Sequence, residues 1–120
     1  MLNPINEARS GVLAFDAIGK LNDGDYKTIL IPAIEDYLKS AEKAHLLLRF
    51  GPDFEGYTLH AMADDALLGM RHMRDFERIA IVTDHAWLAQ GVRLFAPLSP
   101  VHMKVFGLAE TDSAMSWVAW

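Results

Sequence analysis

With 120 residues, 52% of them hydrophobic, the chain is sized for one compact domain and lies far from a disordered composition. A formal charge of −5, with 11 Lys and Arg scattered along the chain, argues against nucleic acid as a partner; the lack of cysteine excludes disulfides and thiolate metal sites. No leader-like segment opens the chain and no apolar run nears the roughly 18 residues a membrane-spanning helix needs, so a cytoplasmic location is the default expectation.

Residues 1–10 are weakly patterned, with a turn signal at Asn3-Pro4; they are either an irregular segment or a short edge strand. Residues 11–120 read as the folded domain. A first strand is expected over Gly11–Ile18, apolar except for Asp16. Asn22-Asp23-Gly24-Asp25 is turn chemistry, with Asp23 or Asp25 as the helix cap. A helix follows over 26–41, its apolar residues spaced three, four and seven apart. Pro32 lies inside it and removes a backbone donor, so a kink or a restart is expected there. Ala44–Phe50, centred on Leu46-Leu47-Leu48, is a buried strand that Gly51-Pro52-Asp53 should end.

A second helix is predicted over 57–73, with Thr58 as its cap and Leu59, Met62, Ala66 and Met70 in the core. Phe76-Glu77-Arg78-Ile79-Ala80-Ile81-Val82-Thr83 contains an apolar run without alternation, as in a strand buried on both faces. A helix over 86–95, a loop between Pro97 and Pro100, a strand over 101–106 and a terminal helix capped by Asp112 or Ser113 complete the chain. The β-α-β-α-β-α-β-α order predicts a single-domain α/β sandwich with a largely parallel sheet covered on both sides.

Several of these segments resemble the SpoIIAA-like proteins of the STAS / CRAL-TRIO superfamily. The likeness rests on Gly19-Lys20-Leu21 with Asp25-Tyr26, Pro32, Asp64-Asp65, Phe76–Val82 with Asp84 and Trp87, and Glu110 with Trp117. It implies a four- to five-stranded mixed sheet flanked by four helices, and no established activity. It also implies two roles: STAS domains are interaction modules, some switched by phosphorylation, and CRAL-TRIO domains bind lipids and other apolar molecules. Where anti-sigma-factor antagonists carry their phosphorylated serine motif, this chain has Phe50-Gly51-Pro52-Asp53-Phe54-Glu55-Gly56-Tyr57-Thr58, with no serine. A phospho-switch is not expected.

Catalytic and metal chemistry finds little support. His60 and Asp64 share a helix face, as do Asp65 and His72, but zinc needs a fuller ligand set. Asp84-His85 stands at the end of a strand, and the expectation is that Asp84 caps the next helix and leaves His85 exposed. Glu77 and Arg78 read as a structural pair reaching Lys20 or Asp25. There is no nucleophile elbow and no phosphate loop. No catalytic residue, metal or cofactor is assigned.

The apolar content of the helices at 57–73 and 86–95 exceeds what one buried face requires. Met62, Leu68, Met70, Met73, Trp87, Leu94, Phe95 and Leu98 are the candidate ligand- or interface-binding residues, since a large exposed apolar patch usually marks an interface, a groove or a membrane contact. The expectation is a non-catalytic binding protein for an apolar small molecule or lipid, docking reversibly at a membrane surface. The alternative is a STAS-type protein–protein module, most simply a homodimer. An enzyme using Asp84, His85, His72 or Asp64-Asp65 ranks last.

Overall fold

The computed structural model describes every residue except Glu7, Asp64, residues 66–73 and Pro100. One mixed sheet holds β1 (Leu2–Pro4), β2 (Leu13–Leu21), β3 (Ala44–Tyr57), β4 (Phe76–Thr83) and β5 (His102–Phe106), in chain order from edge to edge. β1 is antiparallel to β2, and β2 to β5 are parallel to one another. The fold is therefore the α/β sandwich that the apolar segments predict, with part of the N-terminal segment serving as its edge strand.

The strand order decides which face each helix covers. Each parallel strand lies beside its predecessor in the same direction, so right-handed crossovers carry every connection over one face. Tyr26, Leu30 and Ile34 from the first helical segment, Ala61 from the second, and Leu88 and Val92 from α2 (Ala86–Phe95) all pack there. The opposite face is left to α3 (Thr111–Val118), which lays Ala114, Met115 and Val118 on Leu47, Ala80 and Val82. Both faces are covered, so the strands carry apolar residues at successive positions; Leu46 and Leu48 point one way and Leu47 the other.

The first helix restarts as Pro32 predicts. Asp25–Leu30 winds as a π-helix and Ile31–Leu38, here α1, as an α-helix. The Ile31 N–H donates to the Tyr26 carbonyl, five residues back, and Pro32 falls in the first turn of α1, where its missing N–H costs nothing. Neither expected aspartate is the cap. Asn22 Oδ1 accepts the Asp25 N–H at 3.1 Å while Asp25 Oδ2 accepts the Asn22 N–H at 2.9 Å, a reciprocal pair that satisfies two backbone donors.

Gly51-Pro52-Asp53 does not end β3, which runs on through it for a total of 14 residues. Pairing with β4 stops at Phe50 opposite Thr83, so on that side Pro52 faces no partner that needs its missing N–H. On the other side the register jumps: Phe50 pairs with Ala17, and Phe54 with Gly19. The extra residues bulge, and Gly19 (φ 66°) and Gly56 (φ 113°) absorb the shift in left-handed conformations closed to most side chains. The bulge returns Phe54 to the core at 5% exposure.

The second helix, helical at 59–63 and 65 among the described residues, is capped by Thr58 as expected; its Oγ1 accepts the Ala61 N–H at 3.1 Å. Its phase is not the expected one. Ala61 is fully buried, while Leu59 and Met62 are 83% and 56% exposed. Positions 61 and 65, one turn apart, point inward instead. A small residue at 61 lets the helix sit close to the sheet and turns the Leu59–Met62 stripe outward.

Elsewhere, Glu77 lies 3.7 Å from Lys43 rather than near Lys20. Arg78 donates to the Trp117 carbonyl at 3.0 Å, and its guanidinium stacks over the Trp117 and Trp120 rings. Neither Asp112 nor Ser113 caps α3. A tight turn over Leu108–Glu110 precedes that helix, and Glu110 Oε1 accepts the Gly107 N–H at 2.8 Å.

Candidate ligand-binding site

The two faces of the sheet are not covered equally well. Under α3, Leu47, Ala80 and Val82 are fully buried. On the crossover face, their neighbours Leu48 and Ile79 are only half-buried, although both lie on central strands. The reason is a cavity of about 610 Å³ between that face and the helices. β3 contributes Leu46, Leu48 and Phe50 to its floor, β4 Ile79 and Ile81, and β5 Met103. Leu30 of the π-turn and Trp87, Leu88, Gly91, Val92 and Phe95 of α2 form walls. Gly91, which weakens α2 as a helix former, leaves a gap there: a Cβ built on it meets nothing within 4 Å.

The polar side chains in the described lining are Tyr57, Asp65 and Ser99. Asp65 enters from the inward face of the second helix, one turn after Ala61. Its Oδ1 accepts a 3.1 Å hydrogen bond from the Tyr26 hydroxyl, which the π-turn holds in the core. The Tyr57 side chain, brought here by the extension of β3, lines the cavity as well. Asp65 is open to the cavity, yet protein atoms crowd its carboxyl. That desolvation raises the carboxyl above the ordinary aspartate range, against the Tyr26 hydrogen bond, which lowers it. Burial likewise raises Tyr26 and Tyr57, and the Asp65 charge beside them raises both further.

One side of the cavity continues into an aromatic cluster. The Phe54 ring packs edge-on against Phe50 and Tyr57, with centroids 4.8 and 5.4 Å away, and stacks with Trp87 at 6.0 Å. His85 joins at 5.8 Å from Phe54. It is half-buried rather than exposed, and its Nε2 is hydrogen-bonded with the Gly51 carbonyl at 2.9 Å. Asp84 does not cap α2: its Oδ1 accepts the Leu108 N–H at 3.0 Å, tying the end of β4 to the turn before α3. The register bulge brings Gly51 under His85.

Of the candidate site residues, Trp87 and Phe95 line the cavity and are also 57% and 50% exposed. Leu94 and Leu98 face solvent, at 76% and 82%, and Met62 stands outside the described lining. Leu68, Met70 and Met73 lie outside the described residues, as do Asp64 and His72. His60 is exposed, and no cluster of three potential metal ligands occurs among the described residues. Tyr26, Phe54, Tyr57 and Gly91 are site residues that sequence reasoning misses. Ending β3 at Phe50 removes Phe54 and Tyr57 from view, and a sheet floor leaves no mark in helical periodicity. Asp65 carries a signal, a carboxylate on the same helical stripe as Ala61.

A second, more polar hollow of about 390 Å³ lies beside the ends of β2 and β3, lined by Asp16, Arg49, Asp53 and Thr111 among others. There Arg49 grips Asp16 with both arms, at 2.6 and 2.8 Å, so these two charges already neutralise each other.

A five-stranded mixed sheet with this order defines the class of protein. The SpoIIAA-like family profile matches residues 12–119, and the chain belongs to that family. It is also similar to the crystal structure of an uncharacterised protein of the DUF3478 family with a SpoIIAA-like fold, from Shewanella loihica PV-4. The two share 26% identity with a TM-score of 0.76, over 98% of this chain and 92% of that one. No curated protein matches. A SpoIIAA-like, STAS-type fold suggests a regulatory or binding module. Among the described residues, no helix is long and apolar enough to cross a membrane.

Proposed function

We propose that the protein is a non-catalytic binding protein for an apolar small molecule or lipid, held between the crossover face of the sheet and α2. The observation that carries this reading is the unequal burial of neighbouring residues on the central strands. Leu47, Ala80 and Val82 are sealed under α3, while Leu48 and Ile79 look into a cavity of about 610 Å³. That volume falls within the range of roughly 300–1,000 Å³ typical of small-molecule pockets, and an apolar lining with a few polar groups is their usual composition. An apolar body filling it would bury those side chains.

Reversible contact with a membrane belongs to the same reading. Trp87, Leu94, Phe95 and Leu98 present apolar surface along α2 and the turn after it, next to the cavity. Burying each of them in a bilayer would contribute about 1.5–3 kcal/mol, enough for docking but not for permanent anchoring. The net charge of −5 favours neutral over anionic surfaces.

The test is native mass spectrometry after gentle purification, with liposome flotation alongside. A co-purifying apolar species, lost on delipidation and regained on adding the extracted lipid, is the expected result. A protein that carries and takes up no apolar species sinks the reading. Flotation without uptake would reassign the apolar surface to docking alone.

A further inference from the structure

We infer that the ligand of this cavity is an amphiphilic amine, with an apolar body along the sheet floor and a protonated amino head at Asp65. The inference rests on the cavity being a ligand site and adds the chemistry of the head. Charge complementarity carries it. Asp65 is the one ionisable acid in the described lining, and that lining holds no Lys, Arg or His. Asp65 keeps exposed surface on the cavity side, so a cation brought by the ligand would reach its carboxyl and form a charge-assisted hydrogen bond there. An anionic head at the same place would meet a like charge and be disfavoured.

The geometry around Asp65 fits the same head. The Tyr26 hydroxyl donates to Oδ1, which fixes the carboxyl as an acceptor facing the cavity. An ammonium group carries only donors, so it matches an acceptor site, whereas a ligand carbonyl or ether would bring a second acceptor. Phe50, Tyr57, Trp87 and Phe95 supply ring faces in the same lining, and aromatic walls attract a cation further.

Calorimetry with three probes of equal chain length decides the matter: dodecylamine and dodecanoate, each below its critical micelle concentration, and dodecanol below its solubility limit. The amine should bind about ten- to a hundredfold more tightly than the alcohol, the usual strength of a hydrogen bond to a charged group, and dodecanoate most weakly. In Asp65→Asn the advantage of the amine over the alcohol should vanish while alcohol binding persists. Equal or tighter binding of dodecanol or dodecanoate by the native protein overturns the amine assignment and leaves the cavity reading standing. So does an amine preference that survives in Asp65→Asn. Failure of all three probes to bind overturns the cavity reading itself. The series on the native protein discriminates among these outcomes even if the variant does not fold.

Discussion

Tyr26 and Asp65, 39 positions apart in the chain, meet through a 3.1 Å hydrogen bond at the wall of an otherwise apolar cavity. The π-turn that precedes Pro32 supplies the tyrosine, and the inward face of the second helix supplies the acid. Two crossover connections are thereby joined above the sheet by their polar groups, within a layer held together mainly by apolar packing.

That pairing gives a pH dependence with a definite sign. The folded protein holds the Asp65 carboxyl above its unfolded value, so the native state binds the proton more tightly. The associated stability is fully present below the unfolded aspartate value of about 3.9 and is lost as pH rises through the folded value. Asp65→Asn cannot titrate. Urea unfolding of both proteins at a series of pH values from about 4 to 7 should therefore show native stability falling relative to the variant as pH rises. A difference that stays flat, or grows in favour of the native protein, contradicts the raised carboxyl.

Phe54 should be a principal support of the site. It is 5% exposed, it packs on Phe50 and Tyr57, and it stacks on Trp87. Replacing it with alanine removes a core ring from the bulged end of β3 and should cost about 3–5 kcal/mol. Trp87 would lose its stacking partner, so its fluorescence should shift to the red even under conditions where the variant is folded. A loss below about 1 kcal/mol in denaturant unfolding would mean that β3 does not need its extension past Pro52.

Asp16 and Arg49 are cross-strand neighbours on β2 and β3 with two-armed geometry, each side chain about 30% exposed. Solvent weakens such a pair, and its coupling should be about 1 kcal/mol. A double-mutant cycle with Asp16→Asn and Arg49→Met measures it, and the coupling should shrink at high salt. A coupling near zero at low salt would mean that the pair adds nothing to the joining of β2 and β3.

The layered architecture is legible in the sequence because burial on both faces leaves a plain mark. Leu46-Leu47-Leu48 and Ile79-Ala80-Ile81-Val82 read as central strands, and they are. What the sequence hides comes from pairing geometry rather than composition. Gly51-Pro52-Asp53 has the chemistry of a stop, but β4 ends its pairing at Thr83, which frees Pro52 from donating an N–H. Only the register opposite Gly19 reveals that the strand continues. The helix phase at Leu59 and Met62 is hidden for a related reason: with apolar residues on more than one stripe, periodicity alone does not choose the inward one. Trp87 and Phe95 are legible as excess apolar surface. Their partners across the cavity, Leu48, Ile79 and Met103, look like ordinary core, because a half-filled face and a filled one have the same composition.

Gly91 separates a cavity kept open for a ligand from one that is merely poorly filled. It sits in the middle of α2, lines the cavity, and has open space where a side chain would begin. Gly91→Ala should stabilise the protein by about 0.5–1 kcal/mol through helix propensity alone. Gly91→Leu would also place apolar atoms in the cavity, so thermal unfolding should show at least the same gain. Co-purifying ligand and uptake of dodecylamine should fall sharply in Gly91→Leu and little in Gly91→Ala. Gains in stability with undiminished uptake would place the ligand elsewhere. A destabilised Gly91→Leu would mean that the space beside α2 is not free to be filled.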